Sequence, residues 1–273
     1  MTGVQTVCSS DLPTEVAAIE AIRELTNDEK TVEEMQRWLL QSKRTQCWDT
    51  PINAVNAVYA FLNGETNKLS TTGQMPATLK VDGSVVETPQ ATAGLGYVKT
   101  SLAGGHHKTF TAEKTSSGTS WGALYAQYMQ KATDAGNASA GLTIKREVIK
   151  EVNGEKIDII ANGGALKVGD KVRIRLTIQA DRDYDFVQVQ DKRAACLEPI
   201  RQLSGYHNGC YQAPRDHSTY FYFDRMAKGT HIVETEYFVD REGTYQMGIC
   251  TVQCAYSPEY SARTGALTMT IGN

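Results

Sequence analysis

The chain has 273 residues, 41% hydrophobic and 22% charged, with a formal net charge of −3 at pH 7, and that length allows two or three domains. The lysines and arginines are spread along the chain, so it has no general attraction to phosphate backbones or anionic lipid, and nucleic acid is not an expected partner. No run approaches the roughly 18 apolar residues of a membrane span, and residues 1–10 lack the basic start and apolar core of a signal peptide, so direct membrane insertion is not expected and any export signal lies outside these residues.

From Pro13 to Leu62 the hydrophobic period is helical. Val16, Ala18, Ile19, Ile22 and Leu25 predict a first helix, with Asp11 and Thr14 as capping oxygens. A second is expected from about Glu29 to Ser42, with Val32, Met35, Trp38 and Leu39 on its buried stripe, Leu40 at its margin, and Thr31 and Glu34 as a capping box. Thr50 before Pro51 marks the start of a third, expected to be buried through Ile52, Val55, Val58, Tyr59 and Leu62 and closed by Asn63-Gly64. Three such helices do not make a complete domain. They read as the end of a larger array of antiparallel helix pairs, which predicts that the chain is a fragment.

Between Glu65 and Gln130 the texture changes to Thr, Ser, Gly and short apolar alternations. Asp82-Gly83 predicts a hairpin between ATLKV and SVVET, and GLGYVKTSL, HHKTFTAEKT and SWGALYAQYMQ read as three more strands. With no helical crossover available, the region is expected to be antiparallel β, followed by a small, polar linker at Lys131–Ala140.

The clearest alternation lies at Lys171–Ile178. Val172, Ile174, Leu176 and Ile178 share one face and Lys171, Arg173, Arg175 and Thr177 the other, so one face is buried and one is wet. Around it, LTIKREVIKEV and EKIDII form an expected hairpin through Asn153-Gly154. YDFVQVQD, STYFYFDRM, THIVETEYFVD, GTYQMGICTVQCAY and GALTMTI then give the strand spacing of a two-sheet sandwich, with tight turns at Lys228-Gly229 and Glu242-Gly243.

Residues that carry chemistry elsewhere form no recognisable site here. His106 and His107 are neighbours on an expected strand and point to opposite faces; His207, His217 and His231 lack a partner at ligand spacing. Asp181, Asp183, Asp185 and Asp191 fall near one corner, read either as calcium ligands or as a solvated corner, and the glycine and final acid of a calcium loop are missing. The row Tyr206, Tyr211, Tyr220, Tyr222, Tyr237, Tyr245, Tyr256 and Tyr260 either stacks on sugars or peptides or forms core and rim. Six cysteines are too few for a disulfide-built scaffold. Cys250 and Cys254 sit roughly 13 Å apart on one strand face, too far to pair; Cys196 and Cys210 flank a glycine-containing loop and either meet or, like most of the others, stay buried thiols. No catalytic, cofactor or metal residue is nominated.

Two blocks, FYFDRMAKGTHIVETEY (Phe221–Tyr237) and CAYSPEYSARTG (Cys254–Gly265), with the preceding DYDFVQVQDKRAACLEPIRQLSGY, resemble the C-terminal domain of bacterial alpha-2-macroglobulin family proteins. KRTQCWDTPINAVNAVYAFL is similar to the tail of that family's thioester-type α/α toroid, and SWGALYAQYMQ to its CUB-like β segment. The family's Cys-Gly-Glu-Gln thioester motif does not occur in these residues: the cysteines begin Cys8-Ser-Ser-Asp, Cys47-Trp-Asp-Thr, Cys196-Leu-Glu-Pro, Cys210-Tyr-Gln-Ala, Cys250-Thr-Val-Gln and Cys254-Ala-Tyr-Ser.

The resemblance implies an α+β chain: residues 1–64 a short helical remnant of a toroid, 65–138 a CUB-like antiparallel β region and 139–273 a macroglobulin-type β-sandwich. It implies a non-catalytic structural module of a protease-trapping protein of the periplasm or outer cell envelope, without cofactors. Its partners would be the remaining domains of the parent chain and, through the full-length protein, proteases. The competing expectation is a carbohydrate-active or carbohydrate-binding protein, because a toroid followed by a sandwich is also a polysaccharide lyase architecture. Tyr59 without a histidine in the helical part leaves that reading no catalytic half. An exposed apolar strip on the helices would favour the fragment reading.

Overall fold

The computed structural model describes residues 12–48, 50–63, 77–89, 98–115, 122–152, 154–162 and 165–272. The described residues fall into two compact units, one holding 12–36 and 50–127 and the other 37–48 and 128–272.

The first unit contains α1 (Leu12–Thr26), the start of α2 (Glu29–Thr45) and α3 (Pro51–Leu62). α1 buries Leu12, Val16 and Ile19 at helical spacing and packs on α3. Asn27, at φ 54°, takes the left-handed conformation that ends a helix. The cap of α2 is Asp28, not the expected Thr31 and Glu34: one carboxylate oxygen accepts the Thr31 N–H at 3.1 Å and the other the Thr31 hydroxyl at 2.7 Å. Asp11 lies outside the described residues. Thr50 caps α3 as expected, its hydroxyl accepting the Asn53 N–H at 3.1 Å.

The buried face of α3 differs from the expected one. Ala57 and Ala60 are buried, and the Ala60 carbonyl accepts from Gln36 Nε2 at 2.7 Å and Arg23 Nη2 at 3.4 Å. Ile52, Val55, Val58, Tyr59 and Leu62 are all exposed, from 47% to 71%. The small alanines allow close approach of a neighbouring backbone, so they, and not the large side chains, face the packed side.

The same unit holds a three-stranded antiparallel sheet, β2-β1-β3, from β1 (Thr78–Val81), β2 (Ser84–Val85) and β3 (Phe110–Glu113). Asp82 and Gly83 turn the hairpin with φ of 49° and 83°, as their sequence predicts. Two expected strands do not form over their described parts: 98–102 and 122–130 carry no regular structure, Leu124, Tyr125, Tyr128 and Met129 are exposed, and 94–97 and 120–121 lie outside the described residues. Alternation supplies a strand's two faces, but its backbone groups also need a neighbouring strand, which these segments lack among the described residues.

The second unit is a β-sandwich. Its main sheet comprises β4 (Ala138–Ala140), β5 (Leu142–Val152), β6 (Glu155–Asp158), β8 (Lys171–Ala180), β9 (Tyr184–Lys192), β10 (Leu197–Pro199), β11 (Gly205–His207), β12 (Cys210–Pro214), β13 (Ser218–Met226), β14 (Gly229–Val239), β16 (Cys250–Cys254) and β17 (Ser257–Arg263). The order is β10-β14-β8-β5-β4-β17-β16-β9-β13-β12-β11, with β6 beside β5, and all of these pairings are antiparallel. The short β4 joins the two halves, whose inner faces share one core that includes Val172, Ile174, Leu176 and Ile178 from β8 and Val187, Val189 and Phe221 from the other half. A small sheet of β15 (Gly243–Met247), β18 (Leu267–Gly272) and β7 (Leu166–Lys167) completes the unit.

Three local expectations change. EKIDII is a strand only to Asp158, whose carboxylate accepts the Ile160 N–H at 3.0 Å and starts the helical turn α4 (Ile159–Asn162). GTYQMGICTVQCAY breaks at Gly248, sending β15 to one sheet and β16 to the other. The expected linker before Ala140 contains β4, where three small residues pair with β17.

Candidate docking surfaces

The loop after α2 is fixed to the β-sandwich within the second unit. Asp185, on β9, accepts the Cys47 N–H at 2.7 Å, and the hydroxyl of Ser257, which is buried, donates to the Arg44 carbonyl. The Arg44 guanidinium also contacts the Glu259 carboxylate, and Lys43 lies 5.3 Å from the Trp48 ring centre. The Arg44 and Glu259 side chains are 49% and 33% exposed, so that pair adds about 0 to 1 kcal/mol, whereas the charge-assisted bond from Asp185 contributes roughly 1.5 to 3. Phe186 and Tyr256 meet edge to face at 5.3 Å beside it.

A second constellation lies inside the sandwich. Arg146 and Asp191 side chains are 1% and 2% exposed and form an ion pair at 3.0 Å. The guanidinium also donates to the carbonyls of Gly248 at 2.8 Å, Gly265 at 3.2 Å and Lys192 at 3.4 Å. Burial pushes the Asp191 carboxyl up and the guanidinium opposes it. Arg146 thus holds the break between β15 and β16, where a Cβ on Gly248 would come within 2.9 Å of the Lys192 Cβ.

The four aspartates read as one corner are dispersed. Asp181 pairs with Arg182 and accepts the Tyr184 hydroxyl at 2.5 Å, Asp183 pairs with Arg225 at 3.0 Å, Asp185 holds Cys47, and Asp191 is buried on Arg146. The histidines are also separate. His107 contacts Asp82 at 3.2 Å, His231 Nε2 meets the Ala227 carbonyl at 2.6 Å, and His207 lies 3.4 Å from Arg201. His217 lines an open hollow of about 620 Å³ with Arg215, Asp216, Tyr220 and Tyr222. No group of three metal-ligating side chains occurs among the described residues, and no described helix is long and apolar enough to cross a membrane.

Cys196, Cys210, Cys250 and Cys254 are buried thiols, so Cys196 and Cys210 do not pair; Cys8 lies outside the described residues. Burial raises the Cys210 thiol to about 11, which keeps it protonated and unreactive. The tyrosine row divides. Tyr237 is core, its hydroxyl 3.1 Å from that of Thr219, while Tyr206, Tyr211, Tyr220 and Tyr222 lie on the outer face of the β9-β13-β12-β11 layer.

Fold and surface together define a non-local antiparallel β-sandwich with a helical segment fixed to it. Residues 141–259, somewhat under half of the chain, match the family model for the bacterial alpha-2-macroglobulin MG10 domain. Residues 141–259 of the sandwich are thus similar to that MG10 domain, and the match includes Phe221–Tyr237 and the start of Cys254–Gly265, the two blocks that resemble the family's C-terminal region. No curated protein sequence matches. Among solved structures, Salmonella alpha-2-macroglobulin reacted with methylamine is 21% identical, covering 51% of this chain and 10% of that one, with a TM-score of 0.44. Native Escherichia coli alpha-2-macroglobulin from domain MG7 to the C-terminus is 18% identical, covering 50% and 24%, with a TM-score of 0.42. The E. coli protein activated by porcine elastase is 14% identical, covering 96% and 24%, with a TM-score of 0.49. The chain therefore spans about a tenth to a quarter of the length of these structures.

Proposed function

We propose that this chain is a non-catalytic structural module of a bacterial alpha-2-macroglobulin-like protease inhibitor that works in the periplasm or outer cell envelope. Residues 1–64 are the end of an α/α toroid, 65–138 a CUB-like region and 139–273 the final macroglobulin domain. The observation that carries the reading is the MG10 match over 141–259. The exposed apolar row of α3 supports the fragment part of it, because Ile52, Val55, Val58, Tyr59 and Leu62 form one uncovered face that further helices of the parent chain would cover. The sandwich then serves as a rigid module of the inhibitor, to which Asp185 and Ser257 fix the segment at Arg44 and Cys47.

The test compares protease inhibition by the full-length parent with inhibition by the same protein lacking residues 141–273. Loss of trapping, or of the folded inhibitor, is expected. Unchanged folding and trapping would overturn the reading. A further comparison of Asp185→Ala in the full-length parent should show trapping at lower protease doses or spontaneous loss of the resting form.

A further inference from the structure

The two outer faces of the sandwich differ in chemistry. On the β5-β8-β14 side, Arg173, Arg175, Glu234 and Glu236 face water as a paired ladder, with contacts at 2.6, 2.9 and 3.6 Å. That is an ordinary solvated face. On the opposite side, strand register sets Tyr206, Tyr211, Tyr222, Gln188 and Gln253 in one row across five strands. The adjacent row runs Ala213, Tyr220, Gln190 and Thr251 and continues to Arg263 on β17. Arg263 is the single charge in these rows, and its Nε is bound to the Gly136 carbonyl at 3.2 Å.

Tyr206 is 70% exposed and Tyr222 40%. The Tyr220 and Tyr222 rings are nearly parallel, with centres 6.0 Å apart, and Gln190 fixes Tyr220 by donating to its hydroxyl at 2.8 Å. Beyond the glutamines the side chains shrink to Ser261, Ala138 and Ala140, leaving a depression of about 280 Å³ beside Gln253 and Thr251. The first row, four strand spacings wide, spans roughly 19 Å, the length of about four pyranose units.

The two rows hold no Leu, Ile, Val, Met or Phe, so outside the tyrosine rings they are largely polar. Their single cation, Arg263, is held by the Gly136 carbonyl, and Arg215 lies in the neighbouring hollow beside Asp216, so the rows carry no cluster of cations for an acidic ligand. They offer aromatic rings with polar tips, and amides that both donate and accept, which complement the C–H faces and hydroxyls of an uncharged sugar. We propose that this face binds a neutral oligosaccharide, with pyranose rings over Tyr206 and Tyr222 and sugar hydroxyls on Gln188 and Gln253. The proposal stands apart from the protease-inhibitor reading, and neither depends on the other.

The test titrates the full chain with maltohexaose, cellohexaose and chitohexaose, and with an oligogalacturonate as the charged control, by isothermal titration calorimetry. At least one neutral hexamer should bind with Kd below about 1 mM, and Tyr206→Ala/Tyr222→Ala should weaken it at least about tenfold, the equivalent of roughly 1.4 kcal/mol. Tyr222→Phe, which keeps the ring, should stay within about threefold. Both tyrosines are exposed, and unchanged melting temperature and circular dichroism would show that the variants fold. Gln188→Ala provides a second, independent loss. Absence of neutral-hexamer binding up to about 10 mM, binding of the acidic oligomer alone, or binding unaffected by both Tyr206→Ala/Tyr222→Ala and Gln188→Ala overturns the proposal. So does self-association of the chain that Tyr222→Ala abolishes, because the face would then be an interface between copies.

Discussion

At the scale of single residues, Arg146 concentrates the most consequence. Its guanidinium satisfies Asp191 and the carbonyls of Gly248 and Gly265, groups up to 119 positions away in the chain. Removing it leaves a carboxylate buried without its counter-charge, so Arg146→Met should lower unfolding free energy by about 3 to 5 kcal/mol in urea titrations. Arg146→Met/Asp191→Leu should recover most of that, since neither charge is then orphaned; a single-variant loss below about 1 kcal/mol would show that water reaches the pair. None of this was legible in the sequence, where Asp191 grouped with three nearby aspartates and its true partner lay 45 residues upstream. The surface ladder was half legible: alternation placed Arg173 and Arg175 outward, but Glu236 and Glu234 enter only through the register of β14. The Arg173 hydrogen bond, followed by that of Lys171, holds the Glu236 carboxyl below its ordinary 4.5. Its contribution to stability is therefore complete above about pH 4.5 and is lost as pH falls through the lower folded value. Glu236→Gln should flatten that part of the acid limb, by less than about 1 kcal/mol because solvent screens the pair.

At the scale of elements, local signals fixed where helices begin and turns fall, because those depend on neighbours a few residues away. Thr50 and Pro51 start α3 as read, and Thr50→Ala should cost about 1 kcal/mol in thermal unfolding followed at 222 nm. Which side of a helix is covered depends on what else the chain packs against it, and there the period misled. Substituting Val55 or Ile52 by Lys, ruinous for a core position, should change stability by no more than about 0.5 kcal/mol here, because both remain in water. A loss of 2 kcal/mol or more for either variant would mean that the face is covered in solution. The strands expected at 98–102 and 122–130 failed for a related reason, since a strand is completed by a partner that its own alternation does not name.

At the scale of the whole molecule, each unit has its own interior, so the sandwich core should respond to damage without involving α1. Ile174 is 1% exposed at the centre of β8, between β5 and β14, and Ile174→Ala should remove about 2 to 5 kcal/mol from the sandwich. Read by hydrogen exchange, the amides of β8 and β14 should lose protection by a corresponding factor, roughly 30-fold or more, while those of Val16 and Ile19 in α1 keep theirs. The reciprocal variant, Ile19→Ala, removes a fully buried side chain from the helical unit and should expose α1 and α3 to exchange without altering β8. Equal loss in both units from either substitution would mean that they unfold as one cooperative body, and the sandwich would no longer qualify as the independent rigid module on which the inhibitor reading depends.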